Sequence, residues 1–185
     1  MYNGRVSVGG PADVHELGQL IISKLAVGPY DNNAYLLRCR RTGEQLLVDA
    51  AAEPRRILDL IGPDGVRAVL TTHRHPDHWQ ALAEVVAATG ATTIAHRLDA
   101  PGIPVATDVL LEDGDVVEVG SCRLEAIHLT GHTEGSVALL YDDPDGPPHL
   151  LTGDCLFPGG VGKTSTAAEF DALIGAVTDR IFDRL

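Results

Sequence analysis

A mixed α/β fold, with two sheets packed face to face and helices on the outside, is what this sequence predicts. Three observations carry it. Short apolar runs of strand length recur between residues 20 and 151, separated by Gly- and Pro-containing turn signals. Helical patterns interrupt them between residues 54 and 90, and another closes the chain. The elements therefore fall into two halves, each β-rich first and helical afterwards, and such halves bury their apolar faces best as two sheets with helices outside. At 185 residues and 44% hydrophobic, the chain suits a single domain over residues 1–185 with a substantial core.

Along the chain, residues 20–27, 34–39 and 45–48 read as strands, with Gly28-Pro29 and Thr42-Gly43 as turns, which gives an antiparallel meander. Pro54 suits the first turn of a helix carrying Ile57, Leu58, Leu60 and Ile61. Residues 66–70 return as a strand. Pro76 then opens a second helix, whose apolar positions Trp79, Ala81, Leu82, Val85 and Val86 keep the 3-4 repeat up to a stop at Gly90. Residues 92–95 form a buried strand, and a β-rich block covers 109–111, 116–119, 122–128, 137–141 and 150–151. The closing helix runs over 167–182 behind a capping-box pattern, Thr166 to Glu169.

The chemistry concentrates in His73-Arg74-His75-Pro76-Asp77-His78, three imidazoles and a carboxylate in six positions directly after a strand. Transition metals take such ligands. His73 and His75, two apart where the strand runs out, point the same way and can share one ion. Asp77 and His78, at the helix start, are offset from that pair and available to a second. Two further candidates come after apolar strands: His132, in Thr130-Gly131-His132-Thr133, and Asp154, in Thr152-Gly153-Asp154. Two carboxylate oxygens would let Asp154 bridge two ions.

Bulk numbers exclude several classes. The net charge is 14 − 26 = −12, with no sizeable Lys/Arg cluster, so neither nucleic acid nor an anionic membrane is an expected partner. Cys39, Cys122 and Cys155 are odd in number, widely spaced and without a C-x-x-C pair, which suits free thiols in a reducing cytosol. No signal-peptide pattern opens the chain and no apolar stretch reaches spanning length, so the expected location is cytoplasmic. Gly159-Gly160-Val161-Gly162-Lys163-Thr164 is not a phosphate loop, because Phe157 stands where its first glycine belongs. His15, His96, His128 and His149 lack neighbouring ligand types and read as surface or structural histidines. Cys155 reads as a small buried residue, and Trp79 as either a shield over the site or a core aromatic.

Taken together, Thr72-His73-x-His75-x-Asp77-His78, Gly131-His132-Thr133 and Gly153-Asp154 resemble, in order and separation, the ligand motifs of the metallo-β-lactamase superfamily, over about residues 20–170. The resemblance implies a four-layer αβ/βα sandwich, two mixed sheets between helices, with metals at one edge. It implies His73, His75 and His132 on a first metal, Asp77 and His78 on a second, and Asp154 between them. Within the superfamily the chain is most similar to the glyoxalase II-like (hydroxyacylglutathione hydrolase-like) enzymes. Class B β-lactamases usually place Cys where Asp154 stands, and the diiron flavoproteins place Glu in the slot of Arg74. The run after Gly153 resembles the stretch in which a Lys or Arg contacts the carboxylate of a glutathione thioester, which makes Lys163 a candidate anion anchor; a solvated lysine is the plain alternative.

A metal-dependent hydrolase of a thioester or related activated ester is therefore expected. Its substrate would be a small acidic or thiol-derived molecule, attacked by a metal-bound hydroxide, with Asp77 both a ligand and a base. One or two Zn²⁺ are expected, with Fe²⁺ or Mn²⁺ as competitors. The alternatives are a single-iron persulfide dioxygenase, a lactonase or β-lactamase-like hydrolase, and a non-catalytic metal-binding domain. The family's final histidine, after the closing helix, has no counterpart here, since the last histidine is His149. The expectation is that the natural protein continues beyond Leu185 to supply it, or that the second site has only Asp77, His78 and Asp154.

Overall fold

The computed structural model describes residues 2–185. The larger sheet holds seven strands in sequence order: β1 (Asp13–Glu16), β2 (Leu20–Val27), β3 (Asn32–Cys39), β4 (Gln45–Val48), β5 (Ala68–Thr71), β6 (Thr92–His96) and β7 (Val109–Leu111). Neighbours from β1 to β4 are antiparallel and those from β4 to β7 parallel, so the sheet is mixed. The switch falls where helices enter. Parallel neighbours need crossovers, supplied by α1 (Pro54–Ile61) before β5 and α2 (Leu82–Thr89) before β6. The smaller sheet runs β11 (His149–Leu151), β10 (Val137–Tyr141), β9 (Cys122–His128), β8 (Val116–Val119). All its pairings are antiparallel, so only one of the two sheets is mixed. A two-strand hairpin, β12 (Leu156–Phe157) and β13 (Gly160–Val161), precedes α3 (Ala167–Val177).

Side-chain alternation builds three apolar layers. In β4 and β5, Leu46, Val48, Ala68 and Leu70 face the space between the sheets, while Leu47 and Val69 face α1 and α2. In β9 and β10 the same parity sends Leu124, Ala126, Val137 and Leu139 inward and Ile127, Ala138 and Leu140 towards Leu173 and Val177 of α3. Central strands are thus apolar on both faces, which is why they read as continuous runs. The order of layers is helices, sheet, sheet, helix.

Three local findings differ from the sequence reading. The helix expected from Pro76 to Gly90 is two pieces: Pro76–His78 is a 3-10 turn, and α2 starts at Leu82. The break sits at Trp79, whose φ of −137° leaves the helical region while its indole N–H donates to the Arg74 carbonyl at 2.9 Å. The closing helix turns into a π-helical segment over Thr178–Phe182, where the Thr178 hydroxyl donates back to the Ile174 carbonyl at 2.8 Å, a contact that bends helices. Its capping box at Thr166 and Glu169 is present. Strand β1 and the β12–β13 hairpin carry too little apolar alternation to read in sequence. Among the described residues no helix is long and apolar enough to cross a membrane.

Candidate metal centre

The site is assembled from loops that leave the ends of β5, β9 and β11 on one edge of the sandwich. After β5 come Thr72, His73 and His75; after β9, His132; after β11, Asp154. A main-chain bond from Val137 N–H to the Thr72 carbonyl, at 3.0 Å, ties the edges of the two sheets together there. His75 Nδ1 lies 2.9 Å from His132 Nε2, which lies 3.2 Å from His73 Nε2. Three ring nitrogens thus converge on one point.

Their outer nitrogens determine which tautomer each ring holds. Thr72 donates its hydroxyl to Asp49 Oδ2 at 2.8 Å, so its oxygen accepts from His73 Nδ1 at 3.1 Å and leaves Nε2 with a lone pair. His132 Nδ1 donates to the Lys163 carbonyl at 2.7 Å, with the same consequence for its Nε2. Burial, followed by the neighbouring imidazoles His78, His132 and His75, holds the His73 pKa well below its ordinary value. Burial and His132 lower that of His75 as well. Neutral imidazole is the form that ligates a cation.

The second half of the site is a carboxylate–imidazole chain. His78 Nδ1 donates to Asp49 Oδ2 at 2.8 Å, and its Nε2 faces Asp154 Oδ1 at 3.2 Å. That approach lacks hydrogen-bond alignment, so His78 Nε2 is a buried nitrogen without a partner. Burial opposes charge on His78, but the carboxylates of Asp49 and Asp154 overcome it and raise the pKa to about 10. A proton here does for the two carboxylates what a bound cation would do. Asp154 also approaches His132 Nε2, at 3.6 Å from its Oδ2.

These residues fit a metal. His73, His75 and His132 form one group of potential ligand atoms, and His73, His78 and Asp154 another, each within 4.8 Å. Nitrogens tetrahedrally placed at Zn–N distances of about 2.05 Å would lie roughly 3.3 Å apart; the two contacts of His132 are close to that. Five of the six expected ligand residues are therefore brought together. The sixth, Asp77, stands at the rim with Oδ2 4.0 Å from His78 Nε2, held by Asn32 Nδ2 at 2.9 Å. Lys163 reaches the site through its carbonyl, while the residue itself is exposed. A cleft of about 290 Å³ opens beside His78 and Asp154, edged by Tyr30, Asn32, Tyr35 and Phe157, and no lysine or arginine lines it.

The remaining histidines lie elsewhere: His96 is buried and stacked on His128 at 4.2 Å, and His15 meets His149 edge-on at 5.2 Å. Burial pushes the Cys155 thiol up to about 12, so it is an inert packing group. Trp79 packs against the core shared with α1 and α2. Sequence reasoning missed Asp49, although its signal was legible: like Asp154 it comes just after an apolar strand. It also missed Gly162, where a Cβ would collide with the Asp154 carbonyl oxygen and stand 3.2 Å from His132 Nδ1.

Comparison with known proteins shows the family to which the chain belongs. The sequence profile of the metallo-beta-lactamase superfamily matches residues 27–182. A hydroxyacylglutathione hydrolase of Polaromonas sp. is 32% identical over 165 residues, 88% of this chain and 62% of the relative. The chain spans between about half and three-fifths of the length of such curated relatives. Among solved structures, TTHA1623 in a di-iron-bound form is 30% identical with a TM-score of 0.73, over 88% of this chain and 86% of that one. ETHE1 from Myxococcus xanthus is 25% identical with a TM-score of 0.77, over 89% and 71%. With the profile covering most of its length and the layered fold shared with these structures, the chain belongs to the metallo-beta-lactamase superfamily.

Proposed function

We propose that this chain is a metal-dependent hydrolase acting on a thioester or related activated ester, and that its metal is zinc. The observation that carries the reading is the convergence of His73, His75 and His132, two of them with the outer nitrogen committed to a hydrogen bond and the inner one free to ligate. His73, His75 and His132 would hold a first ion, Asp77 and His78 would serve a second, and Asp154 would be shared by the two. The hydroxyacylglutathione hydrolase relatives support the ester class. Zinc, when bound by such a set, supplies Lewis acidity and a water whose pKa falls from about 16 towards 7. Asp154 and Asp77 supply negative charge on the cleft side, and Asp77, tethered by Asn32, would be the carboxylate placed to orient a water there and accept its proton. Lys163, on the loop whose carbonyl holds His132, attracts an acidic part of the substrate from outside the cleft. The three cysteines are free and buried, which supports a cytoplasmic setting.

A second reading is oxygenation of a persulfide at a single iron. His73, His78 and Asp154 make a two-His, one-carboxylate group of the kind that suits a single non-haem iron, and TTHA1623 shows that a similar chain can bind iron, there as a pair. Anaerobic purification, metal analysis and assay against thioester, lactone, β-lactam and persulfide panels separates the two. Zinc with thioester turnover supports hydrolysis. Iron with persulfide-dependent oxygen uptake, or no metal at all, overturns it.

A further inference from the structure

Asp99 belongs to none of the metal motifs, yet it is fully buried at the turn after β6, with 0% exposure. Its Oδ2 accepts the main-chain N–H of Arg74 at 2.9 Å and the Thr133 hydroxyl at 2.5 Å, and its Oδ1 accepts the main-chain N–H of Gly135 at 2.9 Å. Arg74 lies between His73 and His75, and Thr133 is the residue after His132. One carboxylate therefore grips the backbone of both loops that bring the three imidazoles together.

The packing around it leaves little slack. A Cβ on Gly135 would stand 2.6 Å from the Asp99 nitrogen and 2.9 Å from its Cβ, so the second loop can lie this close only with glycine there. The Arg74 guanidinium approaches Asp99 Oδ1 at 3.8 Å and donates to Glu134 at 3.2 Å, crossing between the same loops. A Cβ on Gly102 would meet Arg74 Cδ at 2.9 Å. Three donors converge on Asp99, and only an ionised carboxylate accepts on every side; an amide would turn its own N–H₂ towards one of them.

We propose that Asp99 is a positioning residue that sets the separation of the His73–His75 loop from His132, and through it the affinity and geometry of the ion held by the three imidazoles. The proposal rests on the metal reading above. Its test is zinc competition titration against a chelating dye on the metal-stripped full chain, with the visible spectrum of the Co²⁺ form and thermal melting of the stripped protein. Asp99→Asn should weaken the ion held by the three imidazoles about 10- to 100-fold, as loss of an outer partner of a metal site does, and should alter the Co²⁺ spectrum. Thr133→Val, which removes one donor and keeps the fold, should do the same to a smaller degree. A lowered melting temperature with wild-type affinity and an unchanged Co²⁺ spectrum in both variants would mean that Asp99 only stabilises the fold, and would overturn the proposal. If the wild-type chain binds neither zinc nor cobalt, the metal reading itself fails and this inference falls with it.

Discussion

Replacing Asp49 should damage the metal-free protein in a way that depends on pH. The residue is buried and accepts three bonds, from Thr72 N–H, the Thr72 hydroxyl and His78 Nδ1, each at 2.8 Å. Asp49→Ala leaves those donors buried and unpaired, a loss of the kind that costs about 3–5 kcal/mol when one partner of a buried charged pair is removed. The backbone adds to this. Asp49 has a φ of 60°, a left-handed conformation that costs alanine on the order of 1 kcal/mol. Asp49→Asn keeps the shape but must turn its N–H₂ towards one of the donors, for about 1–3 kcal/mol.

The pH dependence comes from His78. Its folded pKa of about 10 lies above its ordinary 6.5, so the protonated ring contributes stability fully below about pH 6.5 and loses it as pH rises through about 10. Asp49→Asn removes one of the two carboxylates responsible. The gap between wild type and variant should therefore be widest near pH 6 and narrow as pH rises to 10, where the wild-type ring is losing its proton. Denaturant unfolding of metal-stripped protein at the two pH values reads this directly. An Asp49→Ala cost under about 1 kcal/mol, or a wild-type–Asn gap unchanged between pH 6 and 10, would refute the reasoning.

Three further outcomes are expected. Gly162→Ala should keep the fold but displace Asp154 and His132, costing about 1–3 kcal/mol as overpacking does and at least roughly tenfold in metal affinity; a variant that binds zinc like wild type would show that the loop can give way. Arg180→Ala removes a guanidinium that bonds both oxygens of Asp113 at 2.6 Å and the His128 carbonyl at 2.9 Å, for on the order of 1 kcal/mol at neutral pH. Burial opposes charge on Asp113, but Arg180 and the His128 N–H hold its pKa below the ordinary value, so this support is present above about pH 4 and lost as pH falls through the lowered pKa. Melting curves of wild type and variant should then converge in acid; an unchanged gap would contradict the pairing. Lys163→Ala should raise KM for an anionic thioester more than for a neutral one, and equal changes would return Lys163 to an ordinary solvated lysine.

The motif residues were legible in sequence because three imidazoles and a carboxylate crowd six positions after β5, and because His132 and Asp154 each follow an apolar strand within a few residues. Central strands read correctly because both their faces are buried. What escaped depends on approach between distant segments. Asn32 holds Asp77 across 45 positions, and Asp99 reaches Gly135 across 36, with no local pattern to announce either. The break at Trp79 is similar: helical spacing continues through it, and only the indole bond to Arg74 shows why the chain turns. The direction of β8 to β11 was also beyond the pattern, since alternation marks a strand without marking its partner's sense.

Thioester turnover by metal-stripped protein titrated with Zn²⁺, in wild type and in His132→Ala, tests the central claim most directly. The account predicts no turnover without metal and a rise that saturates at one or two equivalents. It predicts little recovery in the variant, which lacks one of three imidazole ligands to the first ion. Undiminished turnover in excess chelator, or wild-type recovery by His132→Ala, would contradict a metal-dependent hydrolase built on this site.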